Sequence, residues 1–365
     1  MKICYILTEI ANGGAERVVL NLSQYFLAQG DEVALVALKS VDKTNSMYRE
    51  FEELGIPIYS LNLKYWNFFK LSKINSIINE FKPDVIHSHL FHGNILSRFI
   101  KRDKNHCRLV NTIHIMEYRK SAFWRFKVDE ITFPLCEVHT SVAKSTAEFQ
   151  AKKLNVAVDN FKVIPNGINI PPLLSEEKVA DYRTKFQLDK FNKVLGCVGR
   201  LDYQKGFDRL LELVPEISKA IPMGQKWALM LIGEGSEREK LEKLAAENEV
   251  HNLEIIFCGF SKEASSMIEL FDTFIMPSRS EGYPLVLLEA MSHGVPMVLN
   301  SVSCIVEALG NYPNAEIINF FQDSNELIAQ KVVTSAEKNK IEYDQIASVA
   351  AMAEMYKQEA YLSAK

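Results

Sequence analysis

Several features are missing from this chain, and each absence excludes a class of protein. No apolar run reaches the roughly 18 residues that a membrane-spanning helix needs, and the first apolar run is too short for a signal peptide. No Gly-x-Gly-x-x-Gly motif occurs, which disfavours a dinucleotide-dependent oxidoreductase. There is no low-complexity segment. We therefore expect a cytoplasmic protein built of ordinary globular domains.

Cysteine is scarce, and no Cys-x-x-Cys pair occurs. Most of the six cysteines interrupt apolar runs, so we interpret them as small buried hydrophobes in a reducing compartment, neither a disulfide framework nor a zinc site. They are Cys4, Cys107, Cys136, Cys197, Cys258 and Cys304.

The whole chain also lacks a large excess of positive or negative charge, since its formal net charge is −4. The two halves differ, however. Residues 1–170 carry 22 Lys and Arg against 17 Asp and Glu, a net +5, which leaves 20 against 29, a net −9, for residues 171–365. A basic first half suggests an anionic partner, although chance scatter of surface charge explains the asymmetry equally well.

Short runs rich in Ile, Val and Leu alternate with segments of helical period, which predicts parallel sheets covered by helices on both faces. The predicted strands are 3–7, 33–38, 85–87, 109–113, 138–140, 194–198, 227–232, 253–257, 273–276 and 296–299. The predicted helices are 16–30, 70–81, 207–220, 237–248 and 284–293.

Two such series in one chain of 365 residues predict two doubly wound α/β domains. We predict a hinge between them at Gly167–Leu174, because turn-forming dipeptides occur there, Asn166-Gly167 and Pro171-Pro172. We expect domains at residues 1–169 and 170–344. A last helix, roughly Tyr343–Leu362, follows the final strand; it lies in the segment at about 345–365 and by its sequence could pack on either domain.

Gly13 and Gly14 follow the first strand and precede a helix. Paired glycines there allow a ligand to approach the backbone closely, and a helix N-terminus favours an anion. A tight structural turn would explain the pair as well.

Arg200 follows the first strand of the second series, and Lys205 lies five residues later in the same loop. The carboxyl ends of strands are where open α/β sheets bind ligands. Two cations at that edge would hold a diphosphate and stabilise it as a leaving group. The alternative is that they are solvated loop charges.

The segment that begins Glu281-Gly282-Tyr283-Pro284-Leu285 precedes a helix in which Pro284 suits the first position. The N-terminus of that helix would point out of the sheet edge toward an anion. Glu289 lies inside the apolar run LVLLEAM, where a carboxylate needs a partner. Sugar hydroxyls or a structural salt bridge would supply one.

Four histidines cluster in the first half, at His87, His89, His92 and His114. We expect His87 and His89 to point to opposite faces of a strand, which disfavours a shared metal ion. His114 follows the strand 109–113 and so lies at the same sheet edge as the paired glycines, either as a ligand contact or as a structural histidine.

Taken together, these motifs resemble the GT-B retaining glycosyltransferases of family 4. Eight segments occur in that family's order, and the last carries its Glu-x7-Glu pattern at Glu281 and Glu289. The segments are GGAERVVLNLS, DVIHSHLFHGN, VNTIHIM, VIPNGIN, VGRLDYQKGFDRLLE, LIGEGSERE, IIFCGF and MPSRSEGYPLVLLEAMSHGVPMV.

The resemblance implies two Rossmann-like domains facing a central cleft, with the final helix crossing back onto the first domain. It implies transfer of a sugar, with retention, from a nucleotide diphosphate sugar. UDP is the expected nucleotide and GDP stays open. The acceptor would be a glycan or a lipid-linked molecule in bacterial-type surface polysaccharide or lipopolysaccharide synthesis. Because the chain contains no Asp-x-Asp, no divalent metal is expected.

The resemblance also implies roles for residues. Gly14, beside Gly13, would offer its backbone N–H to the donor phosphate. Arg200 and Lys205 would bind the diphosphate, and His114 would lie beside the sugar and phosphate.

Glu281 and the amides after it would hold the transferred sugar. Glu289 would bind the ribose, and Phe260 would lie where the nucleobase is recognised. The residues that follow Glu281 in this donor site are Gly282, Tyr283, Pro284 and Leu285.

Some positions depart from the family pattern. Tyr283 replaces a more frequent Phe, and Asn300–Glu307 lacks the usual glycine, so Glu307 receives no role. The segment after Pro313 matches poorly.

The segment Glu117–Phe133 mixes aromatic and basic residues, which suits docking to an anionic membrane surface or an ordinary helix with core aromatics. Two other functions share the architecture: a GT-B sugar-nucleotide epimerase, and a non-catalytic protein that binds nucleotide sugars. No nucleic acid partner is expected.

Overall fold

The computed structural model describes residues 1–63, 71–116 and 123–362. The chain forms two compact units. The first contains Met1–Asn169 together with Ala347–Lys365, and the second contains Ile170–Ile346. Part of the membrane-docking prediction, residues 117–122, lies outside the described residues, as does Lys70 at the start of a predicted helix.

The described part of the first unit contains a seven-stranded sheet in the order β3-β2-β1-β4-β5-β6-β7, with every pair parallel. Its central strands are buried almost throughout, as their continuous apolar runs predict. The strand order reverses between β1 and β4, and such a switch point leaves a crevice at the carboxyl ends. The strands are β1 Lys2–Leu7, β2 Glu32–Ala37, β3 Ile58–Ser60, β4 Val85–His89, β5 Arg108–Ile113, β6 Val138–Ser141 and β7 Phe161–Val163.

Helices join the strands of the first unit. The longest, α1, buries one apolar stripe against the sheet, including Val18, Leu22 and Phe26, and is followed by Gly30 at φ 82°. The helices are α1 Gly14–Ala28, α2 Ser46–Glu53, α3 Leu71–Phe81, α4 Leu90–Ser97, α5 Phe123–Thr132 and α6 Lys144–Leu154.

The second unit, all of which is described, contains a six-stranded parallel sheet in the order β10-β9-β8-β11-β12-β13. Its switch point lies between β8 and β11. The strands are β8 Lys193–Val198, β9 Trp227–Ile232, β10 Leu253–Gly259, β11 Thr273–Met276, β12 Met297–Asn300 and β13 Ala315–Ile318.

Helices and strands of the second unit share a buried core cluster, in which Trp227 and Phe320 are completely buried. The predicted helix 207–220 is divided: one helix ends at Glu212, and the next begins at Val214 with Pro215 in its first turn, where a missing N–H costs nothing. The helices are α7 Glu176–Lys185, α8 Phe207–Glu212, α9 Val214–Ala220, α10 Arg238–Glu247, α11 Ala264–Met267, α12 Leu285–Ser292, α13 Ser303–Leu309 and α14 Asn325–Ala336.

The last segment returns to the first unit, as predicted. Ile168 pairs with Ser348, and a side chain at Gly167 would lie 2.1 Å from the Ser348 carbonyl oxygen. Helix α15, Val349–Met355, begins after Ser348, whose hydroxyl accepts from Ala351 N at 3.1 Å. A π-helical turn, Tyr356–Tyr361, follows it.

That final helix begins six residues later than the predicted Tyr343. The Ile341 N–H donates to the Gly294 carbonyl at 3.0 Å, and the Ala347 carbonyl accepts from the Ile168 N–H at 2.9 Å, so tertiary hydrogen bonds hold both ends of the segment before Val349. The composition of residues 343–348 favours a helix, but these tertiary hydrogen bonds outweigh that preference.

The sequence patterns did not predict three short strands, β3, β7 and β13. Each lies at an edge of its sheet and pairs on one side only, so its apolar run is short and gives a weak signal. The prediction of two doubly wound parallel sheets is confirmed. Among the described residues, none of the helices combines the length and the hydropathy of a bilayer-spanning segment.

Candidate active site

The carboxyl ends of β8 and β11 lie side by side, because these two strands pair across the switch point. The loops that follow them, residues 199–206 and 277–284, therefore meet. Gly233, at the end of β9, has φ 146°, and a Cβ there would lie 1.9 Å from the Gly199 carbonyl oxygen. Only glycine permits this approach.

Lys205 lies at the end of a short 3-10 turn, Tyr203–Lys205. Asp202 begins the turn, and its carboxylate accepts from the Lys205 backbone N–H at 3.2 Å. Gly206 ends it at φ 71°, where a Cβ would lie 2.2 Å from the Pro277 carbonyl oxygen. Local sequence and the neighbouring loop thus fix the backbone that carries Lys205.

Lys205 and Glu281 form an ion pair, with 2.7 Å between Nζ and Oε1. The side chains are only 18% and 7% exposed, respectively. A pair with so little exposure keeps a strong local field, because water screens it weakly. An incoming anion at this point would compete with Glu281 for the ammonium group.

Arg279 connects the two loops. Its guanidinium binds both oxygens of Asp208, at 2.7 and 2.8 Å, and donates to the Tyr203 carbonyl at 2.8 Å. Its backbone N–H donates to the Gln204 carbonyl at 2.8 Å. The guanidinium also stacks 4.0 Å from the centroid of the Tyr203 ring. Arg279 therefore holds the turn that precedes Lys205, and we did not predict this role.

Arg200 takes a different position from Lys205. Its side chain is 59% exposed, and its Nε donates to Asp202 at 2.6 Å. Both predicted cations are thus in the same loop, but the structure brings only Lys205 into the buried pair with Glu281.

Helix α12 starts directly after the Glu281 loop. Pro284 is its N-cap, with ψ 118°, so Leu285 rather than Pro284 is the first helical residue, one position later than predicted. No side chain caps this terminus, so its first amides are oriented to bind an anion. Glu289 is half-buried one turn further along the helix.

Gly282 is buried and Tyr283 is half-buried between Glu281 and the helix. Burial raises the pKa of Tyr283, and the charge of Glu307, on the helix α13 that contacts α12, raises it further. Glu307 thus lies near the predicted donor residues, although the sequence pattern gave it no role.

Phe260 follows the last residue of β10, Gly259, whose φ is 77°. Half of the Phe260 surface is exposed. Strand β10 lies two strands away from β8 in the sheet, so Phe260 and the Lys205–Glu281 pair occupy different parts of the same sheet edge.

In the first unit, Gly13 is the N-cap of α1 and carries no capping side chain, while Gly14 is the first helical residue. A Cβ at Gly13 would lie 2.3 Å from the Glu16 carboxylate, the end of a flexible side chain that is able to move aside, so the structure does not require glycine there. A Cβ at Gly14 would meet no described atom within 4 Å. Among the residues that the structure describes, nothing occupies the space that a Gly14 side chain would fill.

The expectation that His87 and His89 point to opposite faces is wrong. Residues two apart on a strand share a face, and their ring centroids lie 4.0 Å apart. Nδ1 of His87 is 2.7 Å from the Tyr361 hydroxyl, and its Nε2 is 2.6 Å from the Thr112 hydroxyl. His87 therefore links the sheet to the returning C-terminal segment.

His114 lies just beyond β5, as predicted, and pairs with His89 through a 2.7 Å contact between His114 Nε2 and His89 Nδ1. Burial lowers the pKa of His114 to about 4. His92 is partly buried, and burial lowers its pKa as well. Within the described residues, no group of three or more His, Cys, Asp or Glu is arranged to hold a metal ion.

The chain matches two models of glycosyltransferase domains. Glycosyltransferase Family 4 matches residues 12–170, and Glycosyl transferases group 1 matches residues 179–351. The O-antigen biosynthesis glycosyltransferase WclY of Escherichia coli is 24% identical over 359 residues, which cover 94% of this chain and 91% of WclY.

Two further proteins are similar. The Escherichia coli UDP-Gal:alpha-D-GlcNAc-diphosphoundecaprenol alpha-1,3-galactosyltransferase is 23% identical over 320 residues, which cover 84% of this chain and 82% of that enzyme. The crystal structure of Anabaena HepE in complex with UDP aligns with a TM-score of 0.75 and 16% identity, covering 98% of each chain.

The two Rossmann-like sheets and these matches define a glycosyltransferase of the GT-B type. Within that class, the chain belongs to the family whose two domains are described as Glycosyltransferase Family 4 and Glycosyl transferases group 1. The predicted fold class and family are confirmed.

Sequence reasoning missed two residues that hold predicted site residues in place. His89 contacts His114, and Arg279 secures the turn before Lys205. The i, i+2 spacing of His87 and His89 was a usable signal for a shared face, whereas nothing in the sequence indicated the Arg279 partners.

Proposed function

We propose that this glycosyltransferase transfers a hexosyl group, with retention of anomeric configuration, from a UDP-sugar to a glycan or lipid-linked acceptor in bacterial-type surface polysaccharide or lipopolysaccharide synthesis. The observation that carries the proposal is the Lys205–Glu281 pair at the switch point of the second sheet, next to the uncapped start of α12. The second unit would bind the nucleotide sugar and the first the acceptor.

The donor diphosphate would lie against the first amides of α12, which favour an anion. Lys205 and Arg200 would bind its oxygens and neutralise the charge that develops on the leaving group. Arg200 is exposed, and within the described part of the chain its guanidinium is bound only to Asp202 of the same loop, so its side chain is able to turn toward a ligand.

Other residues would bind the rest of the donor. Glu281 would accept hydrogen bonds from sugar hydroxyls, and Glu289 from the ribose. Phe260 would lie beside the nucleobase. In the first unit, the amide of Gly14 would face a donor phosphate, and His114 would contact the sugar.

The proposed reaction needs no divalent metal. Two cationic side chains are available in the loop after β8, and electrostatic stabilisation of a leaving diphosphate is the task that a metal would otherwise perform. The residues of the loop after β11 include a carboxylate, Glu281, but Lys205 already neutralises it.

The relatives support the choice of donor and acceptor. HepE binds UDP, the alpha-1,3-galactosyltransferase uses UDP-Gal and a diphosphoundecaprenol-linked sugar, and WclY acts in O-antigen biosynthesis. A lipid-linked acceptor would place the reaction at the inner face of the cell membrane.

Helix α5 supports a peripheral membrane contact. Its apolar side chains Phe123, Trp124 and Ile131 are 68%, 47% and 76% exposed. The Arg125 guanidinium lies 5.7 Å from the centroid of the Trp124 ring. Exposed aromatic and aliphatic groups beside a cation suit an anionic bilayer surface.

A donor screen tests the proposal. Purified protein is incubated with UDP-, GDP- and ADP-sugars and with polyprenyl-diphosphate-linked sugars as acceptors, and nucleotide release is followed with and without EDTA. We expect UDP release that EDTA does not reduce. The anomeric coupling constant in the NMR spectrum of the product reports retention or inversion.

Lys205→Ala is the inactivating variant, and Lys243→Ala, at an exposed position on α10, is its matched control. Release that persists in Lys205→Ala contradicts the proposed site. Epimerised UDP-sugar without transfer would instead identify an epimerase, and binding without release would identify a non-catalytic sensor.

A further inference from the structure

His89 lies at a strained turn. It is the last residue of β4, and the next residue, Leu90, has φ 66° although it is not glycine. A bulky residue in the left-handed region costs free energy, so the surrounding structure must impose this conformation.

The surroundings of the turn explain how it is imposed. A Cβ at Gly93 would lie 3.2 Å from the Ile6 carbonyl oxygen, so α4 packs closely against β1. Asn94 donates to the Thr112 carbonyl at 2.9 Å and accepts from the Ser88 hydroxyl at 2.9 Å. These contacts fix the start of α4, and with it the direction of the His89 side chain.

His89 is completely buried, and its ring has one hydrogen-bond partner among the described residues. Its Nδ1 lies 2.7 Å from Nε2 of His114, while its Nε2 has no partner within the described residues. Burial lowers the pKa of His89 well below its usual value and that of His114 to about 4. Both rings are therefore neutral at neutral pH.

Two neutral arrangements fit a single N–H···N bond between these rings. If His114 Nε2 carries the proton, His89 must carry its own proton on Nε2, which leaves a buried N–H without a partner. If His89 Nδ1 carries the proton, it donates to His114 Nε2, and His114 carries its own proton on Nδ1. The buried atom without a partner is then the unprotonated Nε2 of His89. Buried N–H groups without a partner are the rarer and costlier case.

We propose that His89 is a positioning residue that fixes the tautomer of His114, so that His114 presents a protonated Nδ1. Among the described residues, Nδ1 of His114 has no hydrogen-bond partner. This inference rests on the proposed function, in which His114 contacts the transferred sugar or the donor phosphate. It assigns to His114 a donor role toward an oxygen of the ligand and excludes that of a general base at Nδ1.

The first experiment measures the tautomer directly, in the full chain without substrate. Protein labelled with ¹⁵N-histidine is studied by long-range ¹H–¹⁵N correlation at pH 7.5, and the signals of His89 and His114 are assigned from single variants. We expect protonated-type nitrogen shifts for Nδ1 of both residues. A protonated Nε2 on His114 overturns the inference, whatever the activity.

The second experiment separates positioning from packing. His89→Asn keeps an amide donor near the original Nδ1, whereas His89→Leu removes it. We expect His89→Leu to lower kcat by about tenfold or more, with little change in the KM for the donor. His89→Asn should retain most of kcat and the Nδ1-protonated form of His114. Equal loss in both variants at equal melting temperature would contradict a tautomer effect.

Two controls keep the conclusions apart. His106→Leu replaces an exposed histidine of the same unit and should leave all values unchanged. Full activity in His114→Ala would contradict the role of His114 in the proposed function but not the measured tautomer. If His89→Leu does not fold, the wild-type spectrum alone decides the inference.

Discussion

Nζ of Lys205 lies 2.7 Å from Oε1 of Glu281, although the two residues are 76 positions apart in the chain. They meet because β8 and β11 are neighbours in the sheet and each residue follows the carboxyl end of its strand. A diphosphate bound between these loops would rearrange this ion pair. This relationship leads to the first prediction.

Replacing one partner of the pair should damage both activity and stability. We expect Lys205→Met and Glu281→Gln each to lower kcat by about 100-fold or more, because each removes an electrostatic contact to the reacting groups. Each should also lower the free energy of unfolding by about 1–3 kcal/mol, since the remaining charged group is largely buried and has lost its hydrogen-bond partner. Urea denaturation and initial rates measure the two effects.

The double variant distinguishes an interaction from two separate losses. Lys205→Met with Glu281→Gln should be destabilised by less than the sum of the single variants, because it leaves no charge without its partner. Strict additivity in the unfolding free energies would mean that the two side chains do not interact in solution.

Gly14 provides a test of the proposed phosphate contact. A Cβ there has no described neighbour within 4 Å, so Gly14→Ala should leave the melting temperature unchanged or raise it slightly. If a donor phosphate approaches this amide, the added methyl group obstructs it, and the KM for the UDP-sugar should rise about tenfold. Steady-state kinetics and thermal unfolding measure these effects.

Gly206→Ala is the contrasting variant. The backbone of Gly206 has φ 71°, and a Cβ there would lie only 2.2 Å from the Pro277 carbonyl oxygen. The substitution should therefore lower the melting temperature and the activity together. If Gly14→Ala has the KM of the unsubstituted protein for the UDP-sugar, Gly14 does not contact the donor, even if Gly206→Ala behaves as expected.

The buried histidines should make stability depend on pH below neutrality. Burial lowers the pKa of His114 to about 4 and that of His139 to about 3, from 6.5 in the unfolded chain. Below pH 6.5 the native state therefore binds fewer protons than the unfolded state. The contribution of these histidines to the free energy of unfolding is fully present above pH 6.5 and is lost as the pH falls from 6.5 toward 4 and 3. We expect the midpoint of urea unfolding to fall steadily from pH 6.5 to pH 5.

His139→Leu should flatten that dependence. The His139 ring stacks on Phe133 with 3.7 Å between centroids, and its Nε2 donates to the Phe133 carbonyl at 3.0 Å. Leucine fills this site without a titrating group. An identical slope in the variant would show that His139 is accessible to protons in the native state.

Helix α5 gives a test of membrane contact. Replacing Phe123, Trp124 and Ile131 by serine should abolish flotation with vesicles of phosphatidylglycerol and phosphatidylethanolamine, because it removes the exposed apolar surface. The melting temperature should change little, since these side chains are exposed. Protein that stays in the soluble fraction before any substitution would contradict the contact.

The sequence was sufficient to predict most of the fold. Continuous apolar strands separated by amphipathic helices require sheets covered on both faces, and this pattern is local enough to be visible in the chain. Its failures were local as well. Edge strands such as Phe161–Val163 lack the long apolar run, and the last helix began at Val349 because distant backbone groups bind the residues before it.

For the candidate site, the sequence placed four residues in the segments that follow buried strands: Gly14, His114, Lys205 and Glu281. It could do so because strand ends are visible as the limits of apolar runs. By itself the sequence therefore determined the sheets, the family and the chemical types of residue at the sheet edges.

Only the tertiary structure decided which of those residues touch. Lys205 rather than Arg200 pairs with Glu281, Arg279 secures the loop, and His89 contacts His114. Each of these contacts joins segments that are distant in the chain and depends on the order of strands in the sheet. Because that order results from packing the whole domain, no local pattern of residues encodes it.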